Sequence, residues 1–350
     1  MPKNPYHPVA STLKPTIVSR LDLLSRPSLA LSMLSRSQKL LNVYARYVQK
    51  PCLAAVSNNW LARKTYTVNA IMAYKTPMGY RQRDVSLTHD GCTVSAAYCS
   101  RNTKPTNGTL LYIHGGGFII GNLRGCRHVI AELAALSGQR GVYVDWRLAP
   151  EHPFPAGLDD AETAYMALLA DPESGPITIA GDSAGGNLTL ALLHRLLRKG
   201  VAPPAACVCF SPIVDLHLIN PSLAENLKKD ALVPMSWGQR GVDAYLSGQD
   251  PNNPEISPIF GSFKGAGPVL IQCDRHEVLY DDGCLMADKL RADGVEVTLT
   301  TTTALPHVWQ YFVGRSPEAD ASVAEAAAFL KNAVAAAAEL GKGAAQPKSA

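Results

Sequence analysis

Ile179-Ala180-Gly181-Asp182-Ser183-Ala184-Gly185-Gly186 decides how the rest of this 350-residue chain reads. An apolar run rich in β-branched residues leads into it, and the amphipathic run Asn187–Leu197 leads out. A strand, a sharp turn and a helix are therefore expected in succession, with Ser183 on the turn of a G-x-S-x-G pattern. Such a turn lifts the serine hydroxyl above the sheet. The glycines two before and two after keep neighbouring side chains out of the crowded turn. The helix N-terminus beyond favours negative charge developing beside the serine. G-x-S-x-G alone occurs by chance in many proteins; the strand before it and the helix after it give it weight.

Outward from this motif the chain alternates. Thr109–Ile113, Gly141–Asp145, Ile177–Ala180, Ala206–Phe210, Val269–Cys273 and Val295–Thr301 read as strands. Helical spacing is expected near 127–137, 157–169, 184–199, 281–293 and 317–339. Strands separated by helices imply βαβ units and a mainly parallel sheet, an α/β fold. Asp84–Thr88 and Thr93–Cys99 alternate around His89-Asp90-Gly91, which reads as a hairpin adding an antiparallel edge. Nearly sixty residues rich in Pro, Asn and Ser separate Phe210 from Val269, an insertion at the carboxyl end of a strand, where α/β sheets bind ligands. Before Arg83 the period is helical, from about Ser28 to Gln49 and from Leu53 to Ala73, with Leu31, Leu34, Leu41 and Tyr44 as an apolar stripe.

The serine needs partners. Leu110–Ile113 runs into His114-Gly115-Gly116-Gly117, a strand end whose backbone N–H groups can face an anion. In acyl transfer that anion is the tetrahedral oxyanion. A phosphate cradle would want the Lys-Ser/Thr of a P-loop or a full G-x-G-x-x-G, and Ile120 stands at the last glycine position. His114 reads as a residue that fixes this loop. The general base should come last in the order Ser, acid, His, and His307 is the only histidine after residue 276. For the acid, position alone allows Asp274 or Glu277, while Asp281 and Asp282 read as N-cap and first-turn residues of a helix. His276-Glu277 is not a zinc signature, since Tyr280 occupies the second histidine position of H-E-x-x-H.

Together His114–Gly117, the stretch D-W-R-L-A-P-E-H-P-F-P-A at Asp145–Ala156, Gly181–Gly186 and the late Pro306-His307 resemble the hormone-sensitive-lipase-like esterases, the bacterial family IV carboxylesterases, over about residues 83–335. The resemblance implies an α/β-hydrolase fold: a mostly parallel eight-stranded sheet flanked by helices, with an N-terminal helical cap over residues 1–82. It implies a catalytic domain over 83–340, with 211–266 adding to the pocket wall, and a flexible tail over 341–350. By similarity Ser183 is the nucleophile, His307 the base, and Gly115, Gly116 and Ala184 supply the oxyanion-hole N–H groups. The family's acid motif, D-P-L-x-D-E/D-G, aligns with Glu277–Gly283, which makes Glu277 the acid in place of the usual Asp and leaves Asp274 as the alternative. Trp146 stands where Tyr is usual.

The implied activity is hydrolysis of short- to medium-chain carboxylic esters through an acyl-serine, with no cofactor and no metal. An amidase, formamidase or lactone hydrolase would use the same triad. A non-catalytic ligand receptor of this fold would have lost a triad member, whereas Ser183 and His307 are both present. Tyr44, Tyr47, Trp60, Trp237 and Tyr245 offer aromatic surface either to the pocket or to the cap's own packing. A homodimer through the last sheet edge is a further expectation from the family.

Composition bounds the rest. Hydrophobic residues at 47% and charged residues at 18% give an ordinary globular chain, and no run approaches the roughly 18 apolar residues of a membrane span. Eight scattered cysteines read as reduced thiols, hence a cytoplasmic protein. The formal charge of +4 conceals +12 over residues 1–83 and −8 over 84–350. The basic segment lacks clustered cations and a nucleic-acid reading motif, and matches an organelle transit peptide only in part. A basic helical cap on an acidic body is the simplest account.

Overall fold

The computed structural model describes residues 33–101 and 107–344. Eight strands form one sheet in the order β1-β2-β4-β3-β5-β6-β7-β8. β1 (Tyr80–His89) and β2 (Cys92–Arg101) make the expected hairpin, and β2 pairs antiparallel with β4 (Arg140–Val144). β3 (Thr109–Ile113), β5 (Ile177–Asp182), β6 (Cys207–Phe210), β7 (Val269–Asp274) and β8 (Val297–Thr302) continue the sheet in parallel.

The central strands read as unbroken apolar runs because both sheet faces are covered. Leu111, Ile113, Ile179 and Cys209 face one core, against α5 (Ala156–Ala170), α6 (Ala184–Arg198) and α9 (Tyr280–Ala292). Leu110, Tyr112, Ala180 and Val208 face the other, against α4 (Leu123–Ser137) and α10 (Pro317–Ala344). The alternation along each strand thus sorts side chains between two helical layers. Helix α10 runs past residue 339 into the segment expected to be tail; residues 345–350 lie outside the described residues. The run of alanines at 335–338, the best helix formers, carries it on.

The N-terminal helices differ from expectation at Pro51. α1 (Arg36–Tyr44) passes through a π-helical turn at Ala45–Gln49 straight into α2 (Lys50–Ala55), so Pro51, which has no N–H to give the turn before it, sits inside the helical run next to the π-helical turn and does not end it. The break comes later, at Asn58, whose side chain accepts from the Leu61 N–H and caps α3 (Asn59–Ala73). Leu34 and Leu41 of the expected stripe pack on Leu305, Trp309 and Phe312; Leu31 lies outside the described residues. The insertion carries two helices that its composition hid, α7 (Pro221–Glu225) and α8 (Met235–Leu246). Gly238 and Gly241 blur the period of α8. Gly241 is needed there, since a Cβ would lie 2.2 Å from the Gly117 carbonyl oxygen.

The N-terminal helices are held to the body by few carboxylates. Arg46 donates to the Lys228 and Lys229 carbonyls, Lys50 to those of Leu227 and Asp230, and Arg240 returns a bond to the Val56 carbonyl. Arg63 bonds the Ile119 and Ala149 carbonyls as well as Glu151. Cations here act as hydrogen-bond donors to backbone, and the charge contrast between the two parts is not spent on ion pairs alone.

Candidate active site

β5 delivers Ser183 in a sharp turn. Its backbone sits at φ 52°, ψ −118°, off the usual regions for a residue with a side chain. The turn is fixed by the Ser183 N–H donating to the Phe210 carbonyl at 2.8 Å and by α6 starting at Ala184. Gly185 lets the turn press on the end of β3: a Cβ there would meet the Ile113 carbonyl oxygen at 2.0 Å.

The preceding residue, Asp182, has a part that the sequence reading missed. Its buried carboxylate accepts from the Tyr112 hydroxyl at 2.8 Å and the Tyr311 hydroxyl at 2.9 Å. A side chain at Gly115 would strike its Oδ2 at 2.3 Å. Asp182 therefore ties the serine turn to β3, to the glycine loop and to the segment following His307. Burial raises its pKa, against the pull of the two tyrosine hydroxyls.

The glycine loop leaves β3 at His114. The His114 ring stacks between Tyr143 and Trp146, at centroid distances of 5.6 and 4.9 Å, and its Nδ1 lies 2.7 Å from the Gly115 carbonyl. Burial lowers its pKa, so the ring is a neutral brace for the loop, and Trp146 is one of its walls. Gly116 has φ 120°, and its carbonyl accepts from the Ile119 and Ile120 N–H groups. A Cβ there would fall 2.1 Å from the Ile120 oxygen, so the loop admits only glycine.

The two candidate acids have different partners. Glu277 is fully buried, and its Oε2 lies 2.6 Å from His307 Nδ1. Its Oε1 accepts from the Asp274 N–H at 2.9 Å. The Asp274 carboxylate is occupied elsewhere: it accepts from the N–H groups of His276, Ala304 and Leu305 and from the Thr302 hydroxyl, at 2.8 to 3.1 Å. It thereby secures the loop from β8 to His307. Burial pushes its pKa up to about 7, against the pull of those donors. Leu279 occupies the N-cap of α9 in place of the expected Asp281, because the turn after Glu277 tightens into the helix two residues early. Asp281 and Asp282 lie in its first turn and bind the insertion: Asp281 accepts from the Ser222 N–H, and Asp282 from Val214, Asp215 and Asn220.

The insertion also braces the acid loop through residues with no sequence signal. Asn226 donates to the Arg275 and Glu277 carbonyls. Asp230 accepts from the Leu232, Val233 and Val278 N–H groups. At His307, burial pulls the pKa down, but the hydrogen bond and charge of Glu277, with the charges of Asp230 and Asp182, outweigh it; the net shift is upward.

Ser183 and His307 face one cavity with Gly115 and Gly116, roofed by Gln49, Leu53 and Val56 and walled by Thr65, Tyr66 and Asn69. A second, mainly apolar compartment, lined by Phe118, Ile213, Leu223 and Val242, also reaches Ser183, Ala184 and His307. Trp237 and Val233 border both. Of the five aromatic residues expected as surface, only Trp237 lines the cavity. Tyr245 stacks on Phe118, while Tyr47 and Trp60 point outward. Tyr66 and Tyr74 line it instead.

A family model described as alpha/beta hydrolase fold matches residues 110–311. An acetyl-hydrolase of Streptomyces hygroscopicus is 35% identical over 69% of this chain and 83% of its own length. An esterase of Acinetobacter venetianus is 36% identical over 63% of this chain and 73% of its own. The crystal structure of an esterase from the bacterial hormone-sensitive lipase family superposes with a TM-score of 0.79 at 31% identity, covering 86% of this chain and 99% of that one. The esterase EstE5, in crystals soaked with p-nitrophenyl butyrate, superposes with a TM-score of 0.78 at 31% identity and the same coverage.

Proposed function

Since the chain belongs to the α/β-hydrolase family, and within it to the hormone-sensitive-lipase-like carboxylesterases, we propose that Ser183, His307 and Glu277 are the triad with which it hydrolyses short- to medium-chain esters. The observation that carries this reading is the 2.6 Å contact between Glu277 and His307 in a cavity shared with Ser183.

Ser183 Oγ attacks the ester carbonyl as His307 Nε2 takes its proton. Glu277 holds the Nδ1–H tautomer and offsets the imidazolium charge. The N–H groups of Gly115, Gly116 and Ala184 receive the oxyanion. Collapse of the intermediate expels the alcohol, protonated by His307, and leaves acyl-Ser183. Water attacks next, giving up its proton to His307, and the acid departs as Ser183 is restored. Residues 1–82, of which 1–32 lie outside the described residues, and 211–266 act as the cap and pocket wall of a catalytic domain spanning 83–340.

The apolar compartment beyond Trp237 supports an acyl site of limited length, and the more polar cavity beneath Gln49 and Tyr66 an alcohol site. An aryl-ester series tests this. Butyrate and hexanoate should outrun palmitate in kcat/KM, and Trp237→Ala, which joins the two spaces, should move the optimum to longer chains. A wild-type optimum at palmitate would refute the assignment.

Only neutral His307 can accept the serine proton. Because its pKa is raised above 6.5, kcat/KM should fall on the acid side with a midpoint above that value. Removing the negative charge in Glu277→Gln should move the midpoint of the residual activity downward. A wild-type acid limb at or below 6.5 would contradict the coupling.

A further inference from the structure

Helices α1 and α3 each carry two apolar stripes, and only the inner one packs on the body. The outer stripe of the first helical run is Leu40 and Val43 in α1 and Tyr47 in the π-helical turn after it; that of α3 is Trp60, Val68, Ile71 and Met72. Leu40 and Tyr47 are each 71% exposed, Trp60 66% and Met72 68%. Leu40, Val43 and Tyr47 follow one another at three and four residues, and in α3 Ile71 and Met72 lie three and four residues after Val68, with Trp60 two turns before it, so each set keeps to one side of its helix. The Gln49 side chain donates to Asn69 at 2.8 Å and ties the end of the first helical run to α3. A row of exposed apolar side chains along each helix, as against single scattered ones, marks an interaction site.

Charge identifies the partner. Residues 36–73, which hold these helices, contain six Lys and Arg and not one Asp or Glu, with Arg46, Lys50 and Arg63 among them bonded to the body, while the chain from 84 onward carries −8. Arg36 and Lys64 are exposed beside the stripes, and Lys64 Nζ lies 5.7 Å from the Trp60 ring centroid. Apolar and aromatic side chains flanked by cations, with no anion among them, form the pattern of a helix that lies in a lipid interface. The acidic body turns away from an anionic surface while the basic helices turn toward it.

We propose that the outer face of α1 and α3 docks on an anionic lipid surface. Gln49, Thr65, Tyr66 and Asn69, on the inner sides of these same helical runs, wall the cavity above Ser183. Docking therefore sets the cavity next to the bilayer, where lipophilic esters partition. Among the described residues no helix is long and apolar enough to cross a membrane, so the contact is peripheral. The binding claim goes beyond the esterase reading and is measured without catalysis.

Co-sedimentation of the full chain with vesicles tests it. Vesicles of phosphatidylglycerol and phosphatidylcholine in equal parts should carry the protein down, and pure phosphatidylcholine vesicles much less. High salt should release it. Trp60→Asp with Ile71→Asp should cut the partition coefficient by about tenfold or more, since each removes apolar burial and adds a repelled charge. Hydrolysis of a soluble aryl ester should be unchanged by the pair, because neither residue lines the cavity; loss of that hydrolysis in the wild type would count against the esterase reading alone. A wild-type protein that stays in the supernatant overturns the proposal, as does equal sedimentation of the variant. So does a wild-type dimer that fails to bind vesicles and becomes a monomer in the variant, which would assign the face to a second copy of the chain.

Discussion

Replacing Ser183 by Ala should lower kcat for a short-chain aryl ester by about 10⁶-fold, the scale seen when a triad serine is removed. The hydroxyl forms the only covalent bond between enzyme and substrate in the proposed cycle. The backbone of the turn should survive, since alanine has the same Cβ at φ 52° and the fixing bond to Phe210 is made by the main chain. Unfolding temperature and circular dichroism should therefore match the wild type. A fluorophosphonate probe should label the wild-type chain at Ser183 and leave the variant unmarked. What survives should be the weak catalysis that an intact oxyanion hole retains over water, about 10³- to 10⁴-fold. Turnover within tenfold of wild type, or probe label on another residue, would remove Ser183 from the mechanism.

How far this was legible from sequence differs with the kind of constraint. The sheet could be read because two-face burial writes itself as continuous apolar strands between helical periods. The serine turn could be read because its sterics demand glycines at fixed offsets, and His307 because chain order fixes where a base must come. The braces could not. Asp182, Asn226 and Asp230 are polar residues beside turns, indistinguishable in sequence from solvated ones; their burial depends on tyrosines and loops tens of residues away. Of the insertion's helices, α7 is too short to show a period, and in α8 Gly238 and Gly241, the second admitted for its close approach to Gly117, blur it. The N-terminal helices show the reverse problem. Their periodicity was clear, but an apolar stripe does not say whether it faces its own body or something else, and α1 carries one of each.

The acid could not be chosen by position at all, because Asp274 and Glu277 stand three residues apart on one turn. Their environments predict opposite phenotypes. Glu277→Gln keeps the size of the side chain but loses the carboxylate facing His307 Nδ1. An amide nitrogen presented there would favour the wrong tautomer, leaving Nε2 protonated and unable to take the serine proton. A loss of about 10⁴-fold in kcat is expected, with little change in stability. Asp274→Asn should do the reverse. Its carboxylate is surrounded by donors only, three N–H groups and a hydroxyl. An asparagine can accept with one atom, and its NH₂ must face the Leu305 or Ala304 N–H. One buried donor left unpaired costs about 1–3 kcal/mol. For a chain of this length that lowers Tm by several degrees, while kcat falls far less than in Glu277→Gln, since His307 keeps its acid. Measuring kcat and Tm on both variants separates the roles, because the acid shows in the first quantity and the brace in the second. Full activity in Glu277→Gln, paired with a stable but inactive Asp274→Asn, would transfer the acid to Asp274 and require the loop after β8 to turn His307 toward it.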